Sequence, residues 1–190
     1  MSRDLALAGV LCLPLLSAVC AGQVKGTIHG NVFREPGLGL TYEFPEKFSS
    51  KLEGESPIKG SQREHMILTL WETPESGGAL RMAFLYDTMQ RSRDRTHDTI
   101  ALAYLGEIKR MWLGVKGVSI AGPAKVLQPS YDYWRMDFSG PDQVPRYSSA
   151  IVITLADRRV LVVRAGASSQ SELDSEIDSL AGMRFDKSQK

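Results

Sequence analysis

Cysteine is almost missing from this chain: Cys12 and Cys20 are the only two among 190 residues, and both precede the polar stretch that starts at Gly22. Everything after Cys20 must therefore fold without disulfides, and no thiol nucleophile or thiolate metal ligand is available there. Asparagine occurs once, at Asn31, followed by Val32-Phe33, so the chain carries no N-glycosylation sequon. Charge of one sign is lacking too. The 23 basic and 22 acidic residues are interleaved and leave a net +1, which supplies no long-range field for nucleic acid and argues against a nucleic-acid partner. Long apolar runs occur only at the start, and the rest of the sequence offers nothing that could span a bilayer as a helix.

That early run, Leu5 to Val19, follows Arg3 and ends in Val19-Cys20-Ala21 before Gly22-Gln23-Val24-Lys25. A charged start, a short apolar core and small residues at its end predict a signal peptide over 1–21, cleaved after Ala21. Lipidation of Cys20 is the alternative. The residue before a lipidated cysteine is normally Gly, Ala or Ser, and Val19 stands there instead. The expected product is exported, to the periplasm or outside a bacterial cell. It is one domain over 22–186 with a flexible tail at 187–190, and a chain of about 170 residues buries roughly 70% of its unfolded surface around a single core.

Hydrophobic periodicity supplies the order of elements. Two extended pieces flank Glu35-Pro36-Gly37, and Leu40, Tyr42 and Phe44 alternate with polar neighbours up to Pro45. Phe48 to Pro57 reads as a polar connection. His65 to Trp71 and Leu80 to Tyr86 read as strands joined by a hairpin through Gly77-Gly78. Ile100, Tyr104, Ile108, Met111 and Trp112 form a helical stripe, capped by Thr96 or Asp98 and ended near Gly114 and Gly117. Ala124 to Leu127 and Tyr131 to Phe138 are extended. Tyr147 to Leu155 and Val160 to Ala165 make a hairpin whose turn at Asp157-Arg158 has no glycine, which predicts a longer or type I turn. Ser169-Gln170-Ser171-Glu172 is a capping box that opens a last helix over Leu173, Ile177, Leu180 and Ala181, ended by Gly182. Strand runs separated by single helices predict an α+β domain with a mainly antiparallel central sheet covered by helices.

With that order established, Asn31, Gly39, Tyr42, Phe44 and Pro45 resemble the opening of PsbP-like and Mog-type domains, in which a polar residue, a glycine, an aromatic-bearing strand and a proline recur. The Trp those domains commonly carry shortly after the Pro is Phe48 here. The resemblance covers Gly30 to Phe185 in element order. It implies a central antiparallel sheet between helices and a non-catalytic binding or assembly module. Members serve in photosystem assembly, in Ran GTPase binding and among exported bacterial proteins, and there is no family active site to carry over.

Catalytic patterns are sparse. His29, His65 and His97 are far apart and show no zinc spacing, so neither metal nor cofactor is expected. Ser56-Pro57-Ile58-Lys59 matches Ser-x-x-Lys, but Pro57 and Gly60 frame a loop where that motif needs a helix. The run Arg91 to Asp98 is mixed in sign and reads as a solvated lead into the helix. Glu43, Asp87, Asp132 and Asp137 lie on or beside strands, and a hydrolase would need two of them in one cleft. A carrier of an apolar ligand would need a cavity lined by Phe84, Ile108, Met111 and Trp134. For a protein partner the candidate surface is Tyr131, Tyr133 and Tyr147 with Arg135 and Arg146, on the strand face opposite Trp134, Met136 and Phe138. A helix packed over that face is the competing expectation.

Overall fold

The computed structural model describes residues 26–53, 64–72, 80–88, 91–143 and 145–186. The expected signal peptide, the Ser56–Lys59 tetrad, the Gly77-Gly78 turn and the 187–190 tail lie outside the described residues. Among the described residues, two antiparallel sheets and two helices make up the domain. β1 (Thr27–His29), β2 (Val32–Glu35), β3 (Leu40–Glu43) and β11 (Met183–Phe185) form a four-stranded sheet in the order β1-β2-β3-β11. The seven-stranded sheet runs β4-β5-β6-β10-β9-β8-β7. Its strands are β4 (Phe48–Leu52), β5 (Glu64–Glu72), β6 (Leu80–Asp87), β7 (Ser119–Leu127), β8 (Asp132–Ser139), β9 (Tyr147–Thr154) and β10 (Val160–Ala167). α1 spans His97–Trp112 and α2 spans Gln170–Asp178.

Period-two alternation sorts the side chains of the large sheet onto two faces. Ala83, Leu85, Met136, Phe138, Ala150, Val152, Val160 and Val162 point to α1, which buries Ile100, Ala101, Tyr104, Leu105 and Ile108 against them. Leu68, Leu70, Met82, Phe84, Tyr133, Ile151, Ile153, Leu161 and Val163 point the other way. There the small sheet and α2 cover them with Phe33, Leu40, Tyr42, Leu173, Ile177, Met183 and Phe185. The result is a layered α+β domain.

Local chemistry explains the boundaries. The Thr96 hydroxyl accepts from the Thr99 amide at 3.1 Å and starts α1. Ser169 Oγ accepts from the Glu172 amide at 3.2 Å, and the Glu172 carboxylate returns to the Ser168 amide at 3.1 Å, one residue outside the capping box as usually drawn. Ala156-Asp157-Arg158 is a three-residue loop: the Arg158 amide donates to Leu155 O at 2.8 Å, the Leu155 amide donates to Arg159 O at 2.9 Å, and Arg158 takes φ +68°. A type I turn followed by a left-handed residue fits the strand twist without a glycine.

Two expectations need correction, and one strand has no counterpart in the sequence pattern. Phe48–Leu52 is not a connection but the edge strand β4, paired to β5 with Phe48 opposite Glu72; its polar Ser49-Ser50-Lys51 suits an edge and hid the strand signal. β11, three residues after a 3-10 turn at Ser179–Gly182, is too short for periodicity to reveal, and pairing with β3 stabilises it. The α1 stripe also turns sooner than its large residues indicate. Ala101 and Leu105 are buried, whereas Met111 is 62% exposed.

A cleft at the N-terminus of the first helix

A cleft of about 570 Å³ opens where the N-terminus of α1, the turn between β7 and β8 and the end of β9 meet, with Phe185 of β11 among its lining residues. Asp98 organises it. In the first turn of α1 its carboxylate accepts from the Trp134 indole N–H at 2.9 Å and lies 3.0 Å from Lys125 Nζ. Lys125 also reaches Asp132 at 3.6 Å, so one ammonium bridges two carboxylates. β7 and β8 set this geometry by placing Lys125 opposite Trp134 and Leu127 opposite Asp132 in the ladder. The indole bond and then Lys125 hold the Asp98 carboxyl below its ordinary pKa, and the Asp98 bond holds the Lys125 ammonium above its own. The exposed positive end of the helix acts in the same direction on Asp98. Thr154 Oγ1 donates to His97 O at 3.1 Å and ties β9 to the start of the helix. Asp98 and Lys125 are 27 positions apart, which no local pattern reveals; the acid in the first turn of an amphipathic helix was the visible signal.

Of the five residues proposed from sequence as a contact surface, only Tyr131 lines this cleft. Its hydroxyl donates to Leu180 O at 2.6 Å, and its ring packs edge-on against Phe185. Tyr133 is 3% exposed in the core under α2. Arg135 is tied to Asp137 at 2.8 Å and to Asp174 of α2 at 2.7 Å. Tyr147 is half-buried, and Arg146 stands exposed over its ring at 5.6 Å, by the Ser139 end of β8. The five do not meet in one exposed patch, because α2 takes the central part of that strand face.

The carboxylates named from sequence are also dispersed. β9 and β10 lie between β8 and Asp87 of β6, Asp132 and Asp137 stand toward opposite ends of β8, and Glu43 belongs to the small sheet. Asp87 is paired with Arg91 at 2.8 Å. The apolar-carrier cavity is ruled out in the form expected: Phe84 and Ile108 belong to cores on opposite faces of the large sheet, and Met111 faces solvent. Among the described residues no group of three or more His, Cys, Asp or Glu is arranged to hold a metal ion, and no helix is long and apolar enough to cross a membrane.

A second charged cluster sits under α2. Arg81, at the start of β6, hydrogen-bonds Glu72 and lies 3.5 Å from Glu172 and 3.6 Å from Glu176. Glu176 is 3% exposed, and its Oε2 has no hydrogen-bond partner among the described residues. Burial pushes the Glu176 carboxyl up to about 7, against the opposing pull of Arg81 and Lys47. Nearby, the Tyr42 hydroxyl and Ser179 Oγ are 3.0 Å apart, and burial raises the Tyr42 phenol to about 12.

This order and pairing of elements is the fold of PsbP-like α+β domains. The solution structure of cyanobacterial PsbP (CyanoP) from Synechocystis sp. PCC 6803 superposes with a TM-score of 0.54 at 12% identity, over 91% of this chain and 99% of that one. No protein-family model and no curated protein sequence matches the chain.

Proposed function

We propose that this protein is an exported accessory module that binds a protein partner through the cleft at the N-terminus of α1 and performs no catalysis. The observation that carries the reading is the Asp98–Lys125–Asp132 bridge beside Trp134. A general acid needs a carboxyl raised toward the working pH, whereas Asp98 is held in the ionised form by an indole donor and an ammonium. Fixed charges of both signs next to an aromatic ring recognise a complementary surface instead of transferring protons. The likeness to the cyanobacterial PsbP fold supports an accessory role, and the apolar start of the sequence supports export. In an oxidising compartment the chain after Cys20 has no thiol to mispair.

The test is site-specific photocrosslinking in the native host. A benzoylphenylalanine at Pro129, an exposed residue lining the cleft, is expected to trap one discrete protein, and the same group at exposed Arg110 to trap a different set or none. Lys125→Glu should abolish the Pro129 adduct. Identical adducts at both positions, or no adduct at Pro129, would overturn the assignment of the cleft as the contact.

A further inference from the structure

The other end of α1 carries a feature that neither the cores nor the cleft employs. Met111 is 62% exposed, Leu113 65% and Val115 38%, at the last turn of the helix and the turn that follows it. Lys109, Arg110 and Lys116 are interleaved with them, all exposed and with no side-chain ion pair or hydrogen bond among the described residues. The sequence has no acid between Glu107 and Asp132. The segment is held in place. Leu113 N–H donates to Lys109 O and Val115 N–H to Trp112 O, both at 3.0 Å, and Trp112 stacks on Phe138 with ring centroids 5.2 Å apart. The turn Gly140–Gln143 backs onto this tip: a Cβ on Gly140 would come 3.2 Å from Gly117 O. Its exposed Asp142 is the acid of that turn, and Arg146 at the far end of the same connection offsets it.

We propose that this tip docks on an anionic lipid surface, with Met111, Leu113 and Val115 entering the headgroup boundary and Lys109, Arg110 and Lys116 on lipid phosphates. Helix-end cations by themselves answer the negative end of the helix, and Lys109 and Arg110 fill that role. Lys116 lies beyond the helix, and the dipole explains none of the three exposed apolar side chains. Protein interfaces are depleted in lysine at their centres, whereas aliphatic side chains interleaved with lysine and arginine are the chemistry of peripheral lipid contacts. Charge complementarity therefore favours anionic lipid over a protein as the occupant. A helix of 16 residues is about 24 Å long, so a molecule seated by this tip holds the α1 cleft away from the bilayer.

The test is sedimentation of the chain from Gly22 onward, which contains both cores and every strand of the described residues, with vesicles of phosphatidylcholine containing 30% phosphatidylglycerol and with pure phosphatidylcholine. Partition onto the anionic vesicles alone is expected. The triple variant K109E/R110E/K116E should bind about 100-fold more weakly, at about fivefold per cation lost. L113S should weaken binding about tenfold with charge unchanged. A control triple, R34E/R93E/R184E, makes the same change in net charge at exposed sites on the small sheet and before α1, and should cost less than fivefold. Circular dichroism verifies that each variant is folded. No partition by the unaltered chain, or an equal loss in the control triple, would overturn the proposal; the second result would mean that charge away from the tip acts as well as charge on it.

Discussion

The core beneath α1 meets polar groups only at its rim, where Tyr104 donates to Glu64 and the buried Asp87 pairs with Arg91, whereas the core on the opposite face of the same seven-stranded sheet carries two tyrosines on polar partners and a cluster of one arginine among three glutamates under α2. Tyr42 meets Ser179, Tyr131 donates to Leu180 O, and Arg81 stands among Glu72, Glu172 and Glu176. An apolar contact is tolerant of sliding, since hydrophobic burial has no preferred direction. Buried hydrogen bonds and paired charges have one good geometry and many poor ones. On this view α1 is held mainly by area, with directional ties at Asp98 and Tyr104. The small sheet and α2, which must meet the large sheet in one register, are held by direction as well.

Removing bulk tests both sides at once. Phe84→Ala, at a site of zero exposure opposite α1, should cost about 4 kcal/mol in urea unfolding, and Leu105→Ala on α1 about 3 kcal/mol. Both are expected to unfold in one transition with an unchanged denaturant slope; a separate early transition in the Leu105 variant would show that α1 detaches by itself.

Replacing Arg81 by Met leaves Glu176 buried without its nearest cation and should cost about 2 kcal/mol at pH 8, and less at pH 5, where Glu176 is protonated. The intact protein carries the same signature in weaker form. Glu176 binds its proton more tightly folded than unfolded, so its contribution is fully present below the unfolded pKa of 4.5 and is lost as pH rises toward 7. Glu176→Gln should remove a decline of roughly 1 to 2 kcal/mol between pH 5 and 7 in thermal melts, and an unchanged profile would place that titration elsewhere. Thr96→Ala, which deletes the cap of α1, should lower stability by about 1 kcal/mol without moving the pH profile. The smallest effect is Lys125→Met: an exposed bridge screened by solvent should leave urea unfolding nearly unchanged, although the proposed partner contact should fail.

The legibility of the sequence follows the same division. Strands with strict alternation, such as Tyr133 to Phe138, and the helix opened by Ser169 can be assigned because periodicity and caps are local signals. β4 and β11 were lost because one is polar and the other three residues long, and each exists through its partner strand. Tyr133 and Arg135 have the composition of an interface, and α2 covers that face, so parity alone could not separate surface from core. The Asp98–Lys125 pair depends on the β7–β8 turn returning beside the start of α1, a tertiary event with no counterpart in spacing.

Pairing β11 with β3 has a kinetic consequence. Met183 lies opposite Tyr42, so a chain that emerges from its N-terminus cannot close the four-stranded sheet until residues 183–185 have arrived. Contacts this distant in sequence slow folding. A sheet that closes on its last strand sets late: until Phe185 is free to pair with Leu40, the edge of β3 stays open.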